Sequence, residues 1–418
     1  MIRAGLIIRG IGELATLDVG AIPRVGRAMS RLGVIDGGAV AVDAGRFVFV
    51  GSDPELRASV RLRPNGTSWD AGGASVVPGF VDAHTHLVFA GDRHREAEQK
   101  VRGASYSEIA RGGGGLYSTV RATRRAPTDA LVDSAVRRLH RMARHGTTSV
   151  EVKSGYGLNH RDEIRLLELV PRLAERSGLR LIPTFLGAHA VPPEFAGRGS
   201  EYVDEILATT LPEVARRKLA VFCDVFCEPG FFSVKDSERL LRAARGLRLG
   251  LKIHAEEFAH SGGARLAARL PATSADHLLA ATSSDRRALA RSGVTAVLLP
   301  ITGFASMASV EGVGRGMVDA GVPVALGTDL SPNSWVESMP LVMSHAVYGA
   351  GLTPAEALSA ATVNAAHAVG LGDSAGRIAV GLPADFSVFP TSSVEEIAYR
   401  VGAIPERVYR QGIRVPSR

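Results

Sequence analysis

FVDAHTHLVFAGDR, residues 80–93, places His84 and His86 one residue apart at the end of an apolar run and closes on Arg93. Successive side chains of a strand point to opposite faces, so the two histidines share one face. Imidazoles held side by side at a strand end are half of a metal site, because neutral imidazole suits zinc or iron. The preceding VVPGF (76–80) supplies a buried strand able to hold the pair rigidly. A complete site needs further ligands at the ends of other strands.

The chain supplies them. Between residues 76 and 375, short apolar runs alternate with amphipathic helical stretches such as DEIRLLELVPRLAERSG (162–178). That alternation is the pattern of parallel βαβ units. Eight runs read as strands: SVVPGFVDAHTH, TTSVEVKSG, LRLIPTFLGAHA, AVFCDVFCE, LGLKIHAEE, ATSADHL, VTAVLLP and VPVALGTD. Eight βα units predict an α/β fold, a distorted (β/α)8 TIM-type barrel, whose sites lie at the C-terminal ends of the strands. At those ends stand His84 and His86, then His189, then His254 with Glu256 and Glu257, then Asp276 and His277, and last Asp329.

His84, His86, His254 and Asp329 make a set of three nitrogens and one oxygen. It suits one Zn²⁺ or Fe²⁺/Fe³⁺ per subunit, with a position left for water. A two-metal hydrolase needs a bridging group, often a lysine carbamate on the fourth strand. Here the fourth run ends in Cys227 and Glu228, and the only strand-end lysine, Lys153, is on the second, so one metal is expected. His277, ending the neighbouring strand, is placed to orient or deprotonate the water.

The two ends of the chain differ from the middle. AVAVDAGRFVFVGS (39–52) reads as a hairpin around D-A-G, and GRIAVGLPADFSVFP (376–390) and ERVYRQGIRV (406–415) have the same style. Residues 1–75 and 376–418 are therefore expected to build one small β-sandwich domain beside a barrel of residues 76–375.

Composition sets limits. At 418 residues, 45% hydrophobic and 22% charged, the chain is an ordinary globular protein. The net charge of +7 comes from arginines scattered along helical faces, and aromatic residues make up only 6%. No basic stripe is interleaved with aromatics, so no nucleic-acid partner is expected. A basic balance does help attract a small anionic substrate. No run approaches the roughly 18 apolar residues of a membrane span, and no signal-peptide pattern opens the chain. Cys223 and Cys227 on one strand are roughly 13 Å apart, too far for a disulfide, and read as buried small hydrophobes. A cytoplasmic location is expected. GGGGLY (112–117) lacks the Lys-Ser/Thr of a phosphate loop and reads as a mobile loop over the site, with a plain connection as the alternative.

The HxH pair, the two later histidines and the final aspartate together resemble the amidohydrolase superfamily. HTHLVFAGDR, RGASYSEIARGGGG, EVKSGYGL, FLGAHAVPPEF, IHAEEF, SADHL and ALGTDL more narrowly resemble the imidazolonepropionase family, from about residue 6 to the C-terminal strands. The resemblance implies hydrolysis of the cyclic amide C–N bond of 4-imidazolone-5-propanoate to N-formimidoyl-L-glutamate, in histidine degradation. It also implies that Arg93 holds the propionate carboxylate, helped by Tyr106, and that Tyr156, His189 and Glu257 contact the substrate. Glu257 would carry a proton to the ring, and Asp329 would serve catalysis as well as ligation. After that aspartate the family pattern is D-x-N-P-G-S, whereas this chain reads Asp329-Leu330-Ser331-Pro332-Asn333-Ser334. Ser334 stays in register as a substrate contact, while Ser331 and Asn333 replace Asn and Gly. A homodimer is expected. The alternative is another cyclic amidohydrolase or a nucleobase deaminase, which shares the metal set but has no need of Arg93 or EVKSGYGL. A homologue without catalytic activity would be expected to have lost ligands.

Overall fold

The computed structural model describes residues 1–104, 108–109 and 112–416; Tyr106 lies outside the described residues. All eight expected barrel runs contain a strand: β6 (Phe80–Asp82), β7 (Thr147–Lys153), β8 (Arg180–Ala188), β9 (Phe222–Cys227), β10 (Gly250–Ala255), β11 (Ser274–His277), β12 (Thr295–Leu298) and β13 (Val324–Leu326). They pair in chain order, and every pairing is parallel. Helices such as Thr128–Arg144 and Val234–Gly246 bury one apolar face against this sheet and leave most of their arginines outward, except Arg138, which is buried and donates to Leu87 O and Phe89 O.

The seam between first and last strands carries the chemistry. Ala83 N donates to Leu326 O at 3.4 Å, Asp329 N to His84 O at 2.9 Å and His86 N to Leu330 O at 3.0 Å. A Cβ on Gly327 would come within 2.8 Å of the His84 Cβ, so glycine is what lets the two backbones meet there. His84, His86 and Asp329 therefore lie just past their strands, in the segments that close the barrel.

Both chain ends build one mixed sheet around β1 (Ile2–Ala15), β2 (Val34–Asp43), β3 (Arg46–Ser52), β4 (Val60–Asp70), β5 (Ser75–Pro78), β14 (Phe386–Phe389), β15 (Arg407–Arg410) and β16 (Ile413–Arg414). One run read as a single strand divides here. Ser75–Pro78 pairs with β14 in the small sheet, and Phe80–Asp82 pairs with β7 in the barrel. Gly79 makes the switch, where a Cβ would lie 2.4 Å from the Thr148 side chain. Cys223 and Cys227 are free and buried in the apolar layer outside β9.

Candidate active site

Strand parity decides what the barrel encloses. Glu151 and Lys153 on β7, Asp224 on β9, Lys252 on β10 and Asp276 on β11 are all wholly buried. They meet across the interior rather than along neighbouring strands. Lys153 Nζ lies 2.6 Å from Asp224, 2.9 Å from Glu151 and 3.5 Å from Asp276, and Lys252 Nζ lies 3.0 Å from Glu151. Burial opposes the charge on Lys153, but the three carboxylates outweigh it and push its pKa upward. Burial likewise opposes ionisation of Asp224, yet His254 and Lys153 hold its carboxyl well below the usual range.

Above this layer the histidines converge. His84 Nε2 and His86 Nε2 are 3.3 Å apart, and His254 Nε2 is 3.5 Å from His86 Nε2. Asp329 Oδ1 lies 3.6 Å from His84 Nε2 and 3.4 Å from His86 Nε2, without a hydrogen-bond partner among the described residues. Burial, and next Lys153 for one and His189 for the other, hold His84 and His86 well below the usual histidine range. Bare nitrogen lone pairs and a carboxylate oxygen facing one another need a cation between them, so the donor set fits a metal ion.

Two of the three remaining ring nitrogens face carboxylates, as is usual for metal-binding histidines, while His86 Nδ1 has no hydrogen-bond partner among the described residues. His84 Nδ1 is 2.6 Å from Asp276 Oδ2, and His254 Nδ1 is 3.0 Å from Asp224 Oδ2. Such carboxylate partners fix the tautomer and the ring orientation. Thr302 donates to the second oxygen of Asp329 at 2.7 Å. Sequence reading missed Asp224, Lys252 and Thr302. Period-two spacing along β9 and β10 marks the first two, whereas nothing in the sequence places Thr302 beside Asp329.

His277 and Asp329 have left-handed backbone, with φ of 74° and 50°. L residues pay roughly 1–3 kcal/mol for such conformations and adopt them chiefly where the surroundings enforce them. Here the strands break so that the side chains enter the mouth of the barrel. Glu256 (φ 55°) turns away, and its carboxylate accepts from Gly262 N and Ala264 N, each at 3.0 Å. Glu257 is left facing His277, with Oε2 and Nε2 3.6 Å apart. Its backbone is pinned by Glu228, which accepts from the amides of residues 257–259. Burial, then Asp329 and Glu228, raise the Glu257 carboxyl well above the ordinary range, while burial and then His254 hold His277 well below its own.

His86, His254, Glu257, His277 and Asp329 border a cavity of about 340 Å³, also lined by Arg93, Lys100, Tyr156, His189, Ser331 and Asn333. Of the expected substrate contacts among the described residues, only Ser334 is buried behind that lining, its N donating to Ser331 Oγ at 3.2 Å. His189 Nδ1 donates to Gly155 O at 3.0 Å and its ring stacks 4.7 Å from that of His86. Burial pushes its pKa down to about 3. Buried Glu163 organises the SGYGL turn by accepting from the amides of Gly155, Gly157 and Leu158. The Arg93 guanidinium meets Glu96, with Nε and Nη2 each 2.8 Å from Oε2.

Known proteins match this architecture along its length. Residues 75–409 match the model of the amidohydrolase family. The imidazolonepropionase of Symbiobacterium thermophilum is 45% identical over 410 residues, spanning 97% of this chain and 96% of its own. That of Geobacillus kaustophilus is also 45% identical, over 95% of this chain and 94% of its own. The chain belongs to the amidohydrolase family, in its imidazolonepropionase branch. Among solved structures, an adenosine deaminase from Xanthomonas campestris with bound zinc superposes with a TM-score of 0.70 at 21% identity, over 99% of this chain and 93% of its own. A likeness at that identity speaks for the fold alone.

Proposed function

We infer that this chain is an imidazolonepropionase, adding water across the cyclic amide C–N bond of 4-imidazolone-5-propanoate to give N-formimidoyl-L-glutamate. The observation that carries the reading is Arg93 lining the same cavity as the converging histidines. A guanidinium there suits a substrate that joins a hydrolysable ring to a carboxylate. A neutral nucleobase has no use for it.

His84, His86, His254 and Asp329 would hold one zinc or iron ion, which when bound supplies Lewis acidity toward the ring carbonyl and toward water. Arg93, already aligned by Glu96, grips the propionate, and Ser331, Asn333 and Ser334 shape the loop beside it. Tyr156 and His189 flank the ring. His277, kept neutral by burial, takes the proton from the attacking water at Nε2. Glu257, kept protonated by burial and nearby carboxylates, gives a proton to the departing ring nitrogen and recovers one from His277 across the 3.6 Å gap. The new carboxylate and the freed amidine nitrogen then balance one water consumed. The enzyme is taken to act in the cytoplasm, as a homodimer. Among the described residues no helix is long and apolar enough to cross a membrane.

The test is a turnover comparison with freshly generated imidazolone propionate, cytosine, guanine and hydantoin. Hydrolysis of the first at a kcat/KM at least about a thousandfold above the others is expected, since a buried polar site rejects mismatched groups by factors of that order or more. Preferential deamination of a nucleobase would overturn the assignment.

A further inference from the structure

One cavity wall carries two cations. Arg93 is relieved by Glu96, whose other oxygen accepts from Gly115 N at 2.8 Å. Among the described residues Lys100, on the helix His94–Val101, is hydrogen-bonded only to neutral acceptors: its Nζ donates to Asn333 Oδ1 at 2.7 Å and to Ala305 O at 3.2 Å. Burial and then Arg93 lower the Lys100 pKa, while Glu96 opposes them, so both cations share a single buried carboxylate. A half-buried ammonium with no carboxylate hydrogen-bonded to it is a place prepared for an anion. Asn333 stands where the family pattern has glycine, which has no side chain to offer Lys100.

We propose that Lys100 is a second cationic contact for the propionate carboxylate of the substrate, with Asn333 as its positioning residue. The proposal rests on the function assigned above. An ammonium has three donors, and Ala305 and Asn333 use two of them, which leaves the third for a carboxylate oxygen. Arg93 supplies the planar fork that orients the carboxylate, and Lys100 adds a point charge from the side of the 331–334 loop.

Metal-loaded wild type, Lys100→Met, Lys100→Arg and Asn333→Gly are compared on imidazolone propionate, on its propionamide analogue and for calorimetric binding of glutarate. Lys100→Met should raise KM and the glutarate Kd by about tenfold or more, with kcat changed less than about threefold, the usual weight of a charged hydrogen bond. Lys100→Arg should recover most of that loss, and the propionamide analogue should not distinguish wild type from Lys100→Met. Asn333→Gly should shift KM in the same direction and add little on top of Lys100→Met, as expected of residues acting as a unit. An unchanged KM and glutarate affinity in Lys100→Met, or an equal loss with the propionamide, overturns the proposal. Absence of wild-type turnover overturns the function reading; wild-type turnover with an unaltered Lys100→Met variant overturns this inference alone.

Discussion

In the proposed mechanism, His277 and Glu257 divide one proton path between them. Their environments push the two groups in opposite directions, the imidazole toward the bare base and the carboxyl toward the protonated acid. Pairs of titratable groups driven apart by their surroundings commonly serve as base and acid in one reaction. His277→Ala and Glu257→Gln should each lower kcat by about 10²–10⁴-fold, the usual contribution of a positioned acid or base, with metal content retained. The double variant should lose less than the product of the two, because both act on the same proton. Full kcat in His277→Ala across the pH range of folded protein would instead assign the base to Asp329.

At the scale of elements, the seam between β6 and β13 concentrates strain and buried charge. Asp82 ends β6 wholly buried, accepting from Thr328 N at 2.9 Å and Thr328 Oγ1 at 2.6 Å. Burial outweighs those bonds and pushes its carboxyl up to about 7 from the usual 3.8. The folded chain thus keeps a proton that the unfolded chain releases between those values. The sign follows from linkage: this group makes stability fall as pH rises from 3.8 through about 7, with no further loss above. In metal-free protein, Asp82→Asn should flatten that decline relative to wild type, read by urea unfolding at several pH values. Parallel slopes in the two proteins would show that Asp82 is ionised throughout.

The strands were legible because parallel barrel strands are short apolar runs separated by helical periodicity, and each of the eight runs holds one. Their polar ends were legible for the same reason, since His84, His86, His254, His277 and Asp329 each stand where an apolar run stops. Less legible was what lies beneath. Asp224 sits in VFCDVFCE, where the cysteines draw the eye, yet those face the outer apolar layer while Asp224 reaches His254. Nor could the sequence show that SVVP and FVD belong to different sheets, because Gly79 changes the direction of the chain without interrupting its apolar character. Thr302 acts through tertiary proximity and carries no local pattern, and Glu228, although it ends the fourth run, gives no sign in the sequence that it accepts from the amides of residues 257–259.

For the whole molecule, the barrel brings four donors from its first, fifth and eighth strands to one point and backs them with an internal ion network. Lys153 fills the space among Glu151, Asp224 and Asp276, where a second metal would otherwise find carboxylates. Two ammonium groups offset two of the three buried carboxylates, and burial raises the pKa of the third, Asp276, toward its protonated form. The most direct measurement is titration of metal-free protein with Zn²⁺ and, separately, Fe²⁺, following hydrolysis of imidazolone propionate and the metal bound per chain. Activity should rise linearly and break at one equivalent, and His254→Ala should abolish both binding and turnover. A break at two equivalents, or full activity in rigorously metal-free protein, would contradict a single-metal hydrolase.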